Sequence, residues 1–278
     1  MKVFVSVDME GASGVASHHD VEPGARHYEQ ARRWMTADAN AAVLGAFDAG
    51  ATEVLVNDSH DGMLNLILEE LDPRAEVIRG SLKPLAMMEG IQEGWDAALF
   101  IGYHAMGGTA AAVLDHTMSG RRFHHVLLDG RRATEAELNA ALAGEFGVPV
   151  PVVSGDDKLA HQVKAFLDPV ETVVVKRGLD REVARVLPPA VAAERIREAV
   201  RRALGELGRY RPYRPAPFRT APDGRPLHRL EVEFQQTDMA TVASWMPLAE
   251  RTGDRSVAWE APDFATLTRI LSLLLEIG

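Results

Sequence analysis

Three times in the first 104 residues, an apolar run of strand length stops abruptly on side chains able to hold a cation. Lys2 to Val7 (KVFVSV) ends on Asp8, Met9, Glu10 and Gly11. Glu53 to Val56 runs into Asn57, Asp58, Ser59 and His60, and Ala97 to Ile101 delivers Gly102, Tyr103 and His104. Short, continuous apolar runs of this kind suit strands buried on both faces. Between them the spacing turns helical. His27 to Ala49 places Trp34, Met35, Ala42, Val43 and Phe47 on one face with Gly50 as a stop, and Met63 to Leu71 is read as a second helix before a short strand at Glu76 to Ile78. Strands alternating with helices form βαβ units and a largely parallel sheet, whose ligands gather outside the carboxyl ends of the strands. The polar groups fall at those ends.

Further along, Phe123 to Leu128 reads as a strand turning at Asp129 and Gly130, Thr134 to Phe146 as a helix closed by Gly147, and Val150 to Ser154 as a strand ending in Gly155, Asp156 and Asp157. From about Val170 the alternation loosens into a strand and a long helix near Ala190 to Leu207. The Pro- and Arg-rich passage Arg209 to Pro226 is a surface connection, since strand-like Leu227 to Phe234 follows it at once. A helix near Met239 to Met246, a strand at Ser256 to Trp259 and a helix from Phe264 to Leu275 complete the chain. The expected fold class is α/β: a largely parallel sheet flanked by helices, with a smaller C-terminal α+β lobe. The expected division is 1–168 for the α/β domain carrying the polar strand ends and 169–278 for the lobe.

The 278 residues hold no cysteine, so disulfides, thiolate ligands and a cysteine nucleophile are excluded, and any metal site must use His and carboxylates. No apolar run approaches the ~20 residues that span a bilayer, and MKVFVSVDMEG has no long signal-type apolar region, so a cytoplasmic protein is expected. A net charge of −10 repels phosphate backbones, and Lys and Arg do not interleave with aromatics, so neither nucleic acid nor a membrane is an expected partner. The basic run Arg195, Arg197, Arg201 and Arg202 reads as a solvated helix face.

Asp8 and Glu10 alternate along an extended segment and so share one side of it. Two buried carboxylates this close invite a divalent cation or a shared proton; read alone, they are equally compatible with solvated loop acids. His60 and His104 each suit a hydrogen-bonded structural role as well as ligation. The combination carries the argument, because strand ends of one parallel sheet converge, and two His with two carboxylates suit zinc. His116 follows closely and is open as ligand, base or bystander. His18, His19, His124 and His125 read as structural or exposed, and Glu135 in isolation as a favourable charge at a helix start. GxSxG, GxxxxGK[ST] and HExxH are all missing, which removes the signatures of serine hydrolases, P-loop proteins and thermolysin-like enzymes.

Ser6-Val7-Asp8-Met9-Glu10-Gly11, Asn57-Asp58-Ser59-His60 and Gly102-Tyr103-His104-Ala105 resemble, in order and spacing, the D-aminopeptidase DppA family of zinc peptidases. The resemblance continues through His116-Thr117-Met118, Glu135 with Leu138-Asn139 behind it, and Gly155-Asp156-Asp157. It implies two zinc ions per subunit, with Asp8 bridging them, Glu10 and His104 completing one, and His60 and Glu135 completing the other. It also places His116 at the catalytic position, and implies release of N-terminal residues, D-residues such as D-Ala among them, from short peptides through a metal-activated water. The implied assembly is a homo-oligomeric ring, up to a decamer. Thr134 departs from the family's Gly before the glutamate, which leaves Glu137 competing with Glu135; the surroundings of His116, set in part by Asp115, also stay open. Asp156 or Asp157 is a candidate to receive a substrate amine or simply to cap a helix. A two-metal hydrolase of another amide or ester bond and a non-catalytic oligomeric scaffold are the rival readings.

Overall fold

The alternation along β1 (Lys2–Val7) sets the layering: Val3, Val5 and Val7 pack on one side and Phe4 on the other, all fully buried. In the computed structural model, which describes residues 1–276, the chain runs on through α1 (His18–Val21), α2 (Tyr28–Asp48), β2 (Glu53–Asp58), β3 (Glu76–Ile78) and β4 (Ala97–Tyr103). There follow the hairpin of β5 (Phe123–Leu128) and β6 (Arg131–Arg132), then α3 (Glu135–Glu145), β7 (Val152–Asp156), α4 (Asp157–Val163), β8 (Glu171–Asp180) and β9 (Val183–Val186). The last part contains α5 (Pro189–Gly205), β10 (Arg219–Thr220), β11 (Pro226–Phe234), α6 (Thr237–Ala243), β12 (Glu250–Arg251), β13 (Ser256–Ala261) and α7 (Phe264–Glu276).

The α/β expectation holds. One sheet has seven strands in the order β3-β2-β1-β4-β7-β8-β9, parallel throughout except for β9. Its valine-lined face packs on α2 and α5, where Ala31, Met35, Ala39, Ala42, Val43 and Ala46 recur at helical spacing in α2. The Phe4 face packs, with α3, α6 and α7, onto the apolar face of a second, antiparallel sheet of six strands built on β11, whose opposite face carries Arg229, Glu231 and Glu233. Each fully buried Val, Leu, Ile or Phe contributes about 1.5–3 kcal/mol, so these two faces dominate the stabilising side of the balance. The expected division at residue 168 runs through both sheets: β8 and β9 join the parallel sheet, while β5 and β6 join the antiparallel one.

The helix expected over Met63 to Leu71 does not form; the segment is irregular apart from a single 3₁₀ turn, Leu68–Glu70. Side chains from elsewhere claim its backbone. Asp58 accepts from the Asn65 and Leu66 N–H groups at 2.6 and 2.8 Å, Arg32 donates to the Asn65 carbonyl at 2.7 Å, and Thr36 accepts from the Ile67 N–H at 3.1 Å. Apolar spacing alone could not reveal that competition. By contrast, the Asp129–Gly130 turn is present, both residues having positive φ (50° and 81°) as a two-residue hairpin requires.

Strand order reverses between β1 and β4, the place where open α/β sheets bind their ligands. The two strand ends approach unusually closely there. The Gly11 N–H donates to the Gly102 carbonyl at 2.8 Å; a Cβ on Gly11 would lie 1.8 Å from the Tyr103 carbonyl oxygen, and one on Gly102 would lie 2.2 Å from the Asp8 carbonyl oxygen. Gly11→Ala therefore forces the β1 and β4 ends apart and should cost about 3 kcal/mol in urea unfolding; an unchanged midpoint would show that this approach is not required.

Candidate metal centre

β1 delivers Asp8 and Glu10, the end of β2 delivers His60, the end of β4 delivers His104, and the first turn of α3 delivers Glu135; all five are buried. His60 Nδ1 lies 2.9 Å from Glu10 Oε2 and 3.4 Å from Asp8 Oδ1. On the other side, His104 Nε2 lies 3.5 Å from Asp8 Oδ2 and 3.2 Å from Glu135 Oε1. Asp8, Glu10 and His104 offer ligand atoms within 4.8 Å of one another, and so do His104, His116 and Glu135. Glu137 is outside the cluster: its carboxylate takes Arg131 and the Tyr213 hydroxyl, each at 3.0 Å. Thr134 caps α3 through the Glu137 N–H at 2.9 Å, which fixes the first turn and aims Glu135 inward.

Each imidazole has one nitrogen engaged by a main-chain carbonyl. His60 Nε2 is 2.9 Å from the Val21 oxygen, His104 Nδ1 is 3.0 Å from the Ala105 oxygen, and His116 Nδ1 is 2.8 Å from the Leu114 oxygen. A carbonyl only accepts, so these nitrogens carry hydrogen and the opposite ones face the carboxylates, the tautomer that metal-binding histidines use. Asp8 Oδ2, Glu10 Oε2 and His104 Nε2 are buried without an aligned hydrogen bond, their neighbours in the cluster being close but poorly directed; among the described residues only Trp259 Nε1 shares that condition. Buried ligand atoms that converge on one point without aligned hydrogen bonds fit a cation held between them better than packing. The donor set fits zinc, which takes imidazole and carboxylate ligands without geometric demands.

Electrostatics agree. Burial and the charge of Glu10 push Asp8 up to about 7. Against the upward push of burial, His60 holds Glu10 well below the usual carboxylate range. Burial would lower both histidines, yet Glu10 and Asp8 raise His60 well above its ordinary value, and Glu135 and Asp8 raise His104 to about 10. In a metal-free protein, protons would supply the charge. A metal binding near pH 7.5 must displace the His104 proton, which would otherwise persist to about pH 10. Binding should release protons and tighten as pH rises. Calorimetric titration of the metal-free protein in buffers of different protonation enthalpy checks this, and buffer-independent heats would contradict it.

His116 stacks on His104, centroids 4.2 Å apart and planes at 15°, with Nε2 3.8 Å from Glu135 Oε1. Burial and the positive charge of His104 lower its pKa. Asp115 faces away, accepting from Gly108 and Thr109 and pairing with Arg181. Asp156 caps α4 and accepts from the Val113 N–H, while Asp157 binds the Gly178 N–H; neither is free to receive a substrate amine. His18 pairs with Glu182 on the surface, and His124 and His125 lie near Glu233, which Arg255 already holds at 2.6 Å. The cluster opens onto a cavity of about 530 Å³, lined also by Lys83, Met87, Met118 and Arg121.

Two buried lysines escaped the sequence reading. Lys176 donates to the carbonyls of Glu10, Ala12 and Val15 at 2.5, 2.9 and 2.7 Å, pinning the loop after β1; Lys83 donates to Asn57 Oδ1 at 2.6 Å and the Asp58 carbonyl at 2.8 Å, pinning the loop before His60. Burial pushes each down to about 8. The only signal was a charge inside the apolar run of β8. Lys176→Met leaves three buried carbonyls without donors, at ~1–3 kcal/mol each, so a loss of at least about 3 kcal/mol is expected in urea unfolding. A loss near zero would mean that other donors reach them.

The sequence profile of the D-aminopeptidase family matches residues 1–273. A D-aminopeptidase of Bacillus subtilis (strain 168) is 37% identical over 279 residues, covering 100% of this chain and 98% of the relative. Among solved structures, the Zn-dependent D-aminopeptidase DppA from Bacillus subtilis, a self-compartmentalizing protease, superimposes with a TM-score of 0.91 at 37% identity, covering 100% of this chain and 97% of that one.

Proposed function

The chain belongs to the D-aminopeptidase family, and from that membership we propose that it is a zinc-dependent aminopeptidase releasing N-terminal residues, D-residues such as D-Ala among them, from short peptides. The single observation that carries this reading is the convergence of Asp8, Glu10 and His104 on one point with buried ligand atoms that lack aligned hydrogen bonds. We assign two zinc ions per subunit. Asp8 turns Oδ1 toward His60 and Oδ2 toward His104, the arrangement a bridging carboxylate needs. Glu10 and His104 then complete one ion, and His60 and Glu135 the other. The approaches of His60 to Glu10 at 2.9 Å and of His104 to Glu135 at 3.2 Å both cut across this division; they are ion pairs of the kind that a metal would displace.

When bound, zinc lowers the pKa of water at the site and polarises the scissile carbonyl. His116 does the proton work. Its Nδ1 hydrogen is engaged by the Leu114 carbonyl, so Nε2 is the basic nitrogen; it takes a proton from the attacking water and returns it to the leaving amine. The cavity of about 530 Å³ falls in the size range of small-ligand sites and suits a short peptide. No helix among the described residues is long and apolar enough to cross a membrane. A self-associating ring, up to a decamer, is proposed from the self-compartmentalizing relative.

His116→Ala should lower kcat by roughly 10²–10⁴-fold while leaving zinc content unchanged. Glu135→Gln should reduce zinc stoichiometry, and Glu137→Gln should not. Elemental analysis together with hydrolysis of D-Ala and L-Ala p-nitroanilides checks all three. Purified protein without stoichiometric metal, and with no cleavage after zinc is added, would overturn the proposal.

A further inference from the structure

A further cavity of about 340 Å³ is lined by residues of β8, β9 and α5, at the β9 edge of the parallel sheet. Three exposed arginines, Arg177, Arg185 and Arg195, line it together with Val174, Lys176, Val186 and Leu187; no carboxylate contributes. None of these three arginines has an ion-pair partner among the described residues. Their neighbours do: Arg181 is held by Asp115, Arg197 by Asp48 and Arg202 by Glu171.

Arg177 and Arg185 are direct cross-strand partners in the antiparallel β8–β9 register. Like charges placed directly opposite each other in a sheet destabilise it. Charge on an edge strand guards against unwanted pairing, which accounts for Arg185 on β9. It does not account for Arg177 on the interior strand β8, nor for Arg195 reaching in from α5. A chain with 40 acidic and 30 basic side chains has carboxylates to spare, yet it offers none here. The geometry points to a site for a doubly charged oxyanion, a phosphate group either free or as a monoester, held by the guanidinium forks of Arg177, Arg185 and Arg195. Guanidinium presents paired donors matched to phosphate oxygens.

The test is calorimetric titration of the zinc-loaded protein with inorganic phosphate and, separately, with glycerol phosphate, at constant ionic strength against chloride. Saturable binding of one phosphate per chain is expected, weakened at least about tenfold in Arg177→Gln/Arg185→Gln and in Arg195→Gln, since each removes a charge-assisted contact. Comparable binding of glycerol phosphate assigns the site to phosphate esters; binding of inorganic phosphate alone assigns it to the free ion. Thermal unfolding gives a second readout: in chloride Arg177→Gln should melt higher than the parent, through relief of the Arg177–Arg185 repulsion, and phosphate should abolish or reverse that difference. Phosphate binding that is equal in the parent and the double variant would place it at the metal centre and overturn the proposal, as would the absence of saturable binding.

Discussion

Three carboxylates buried within reach of one another, Asp8, Glu10 and Glu135, form the constraint on which the rest of the structure depends. Their mutual repulsion and desolvation are too large to leave unanswered in a packed interior. The structure answers on two levels. Facing the carboxylates are His60 and His104, each with its remote nitrogen engaged by a carbonyl. Behind them stand Lys176 and Lys83, whose ammonium groups bind the loop carbonyls rather than the carboxylates. The lysines fix the loops, and the space between the carboxylates is left for divalent charge.

That arrangement explains the tight backbone approach at the reversal of strand order. Five imidazole and carboxylate side chains from β1, β2, β4 and α3 converge only if the β1 and β4 ends nearly touch, and Gly11 and Gly102 allow this by lacking Cβ atoms. Ser6, Ser59, Tyr103 and Asn139 extend the same ordering inward: Ser6 Oγ contacts Ser59 Oγ at 2.8 Å and the Tyr103 hydroxyl at 2.6 Å, and Asn139 reaches that hydroxyl at 2.9 Å. This network ties α3, and so Glu135, to the ends of β1 and β4. A shift of one ligand therefore strains the others, the rigidity that a preorganised site requires.

Much of this was legible because it is local. An apolar run that stops on Asp8, on His60's loop or on His104 is visible to anyone who counts residues, and parallel-sheet topology forces such ends together. Glu135 was different. It arrives from a helix start, where an acidic residue has an ordinary explanation in the helix dipole, and only resemblance singled it out. The misread segment from Met63 to Leu71 failed for a related reason: its apolar spacing is helical, but Asp58, Arg32 and Thr36 capture its backbone from a distance. Partnership in the second sheet was hidden too, since β5 pairs with β11 about 100 residues later, and periodicity reveals strands without revealing their neighbours.

The proposed division between coordination at His104 and proton transfer at His116 is supported by how their stacked rings are set. The rings are 4.2 Å apart and chemically identical, yet their environments drive them in opposite directions. Glu135 and Asp8 raise His104 to about 10 against the cost of burial, whereas burial and the neighbouring positive charge lower His116. The difference follows from position: His104 points its free nitrogen between two carboxylates, while His116 meets only one oxygen, at 3.8 Å. Positive charge at His104, whether proton or metal, keeps His116 neutral, and a neutral imidazole at the cavity wall is the form that can accept a proton near pH 7. The acids that would hold His104 in the coordinating role proposed for it thus also favour, through the stacking, the neutral His116 that the proposed proton transfer needs.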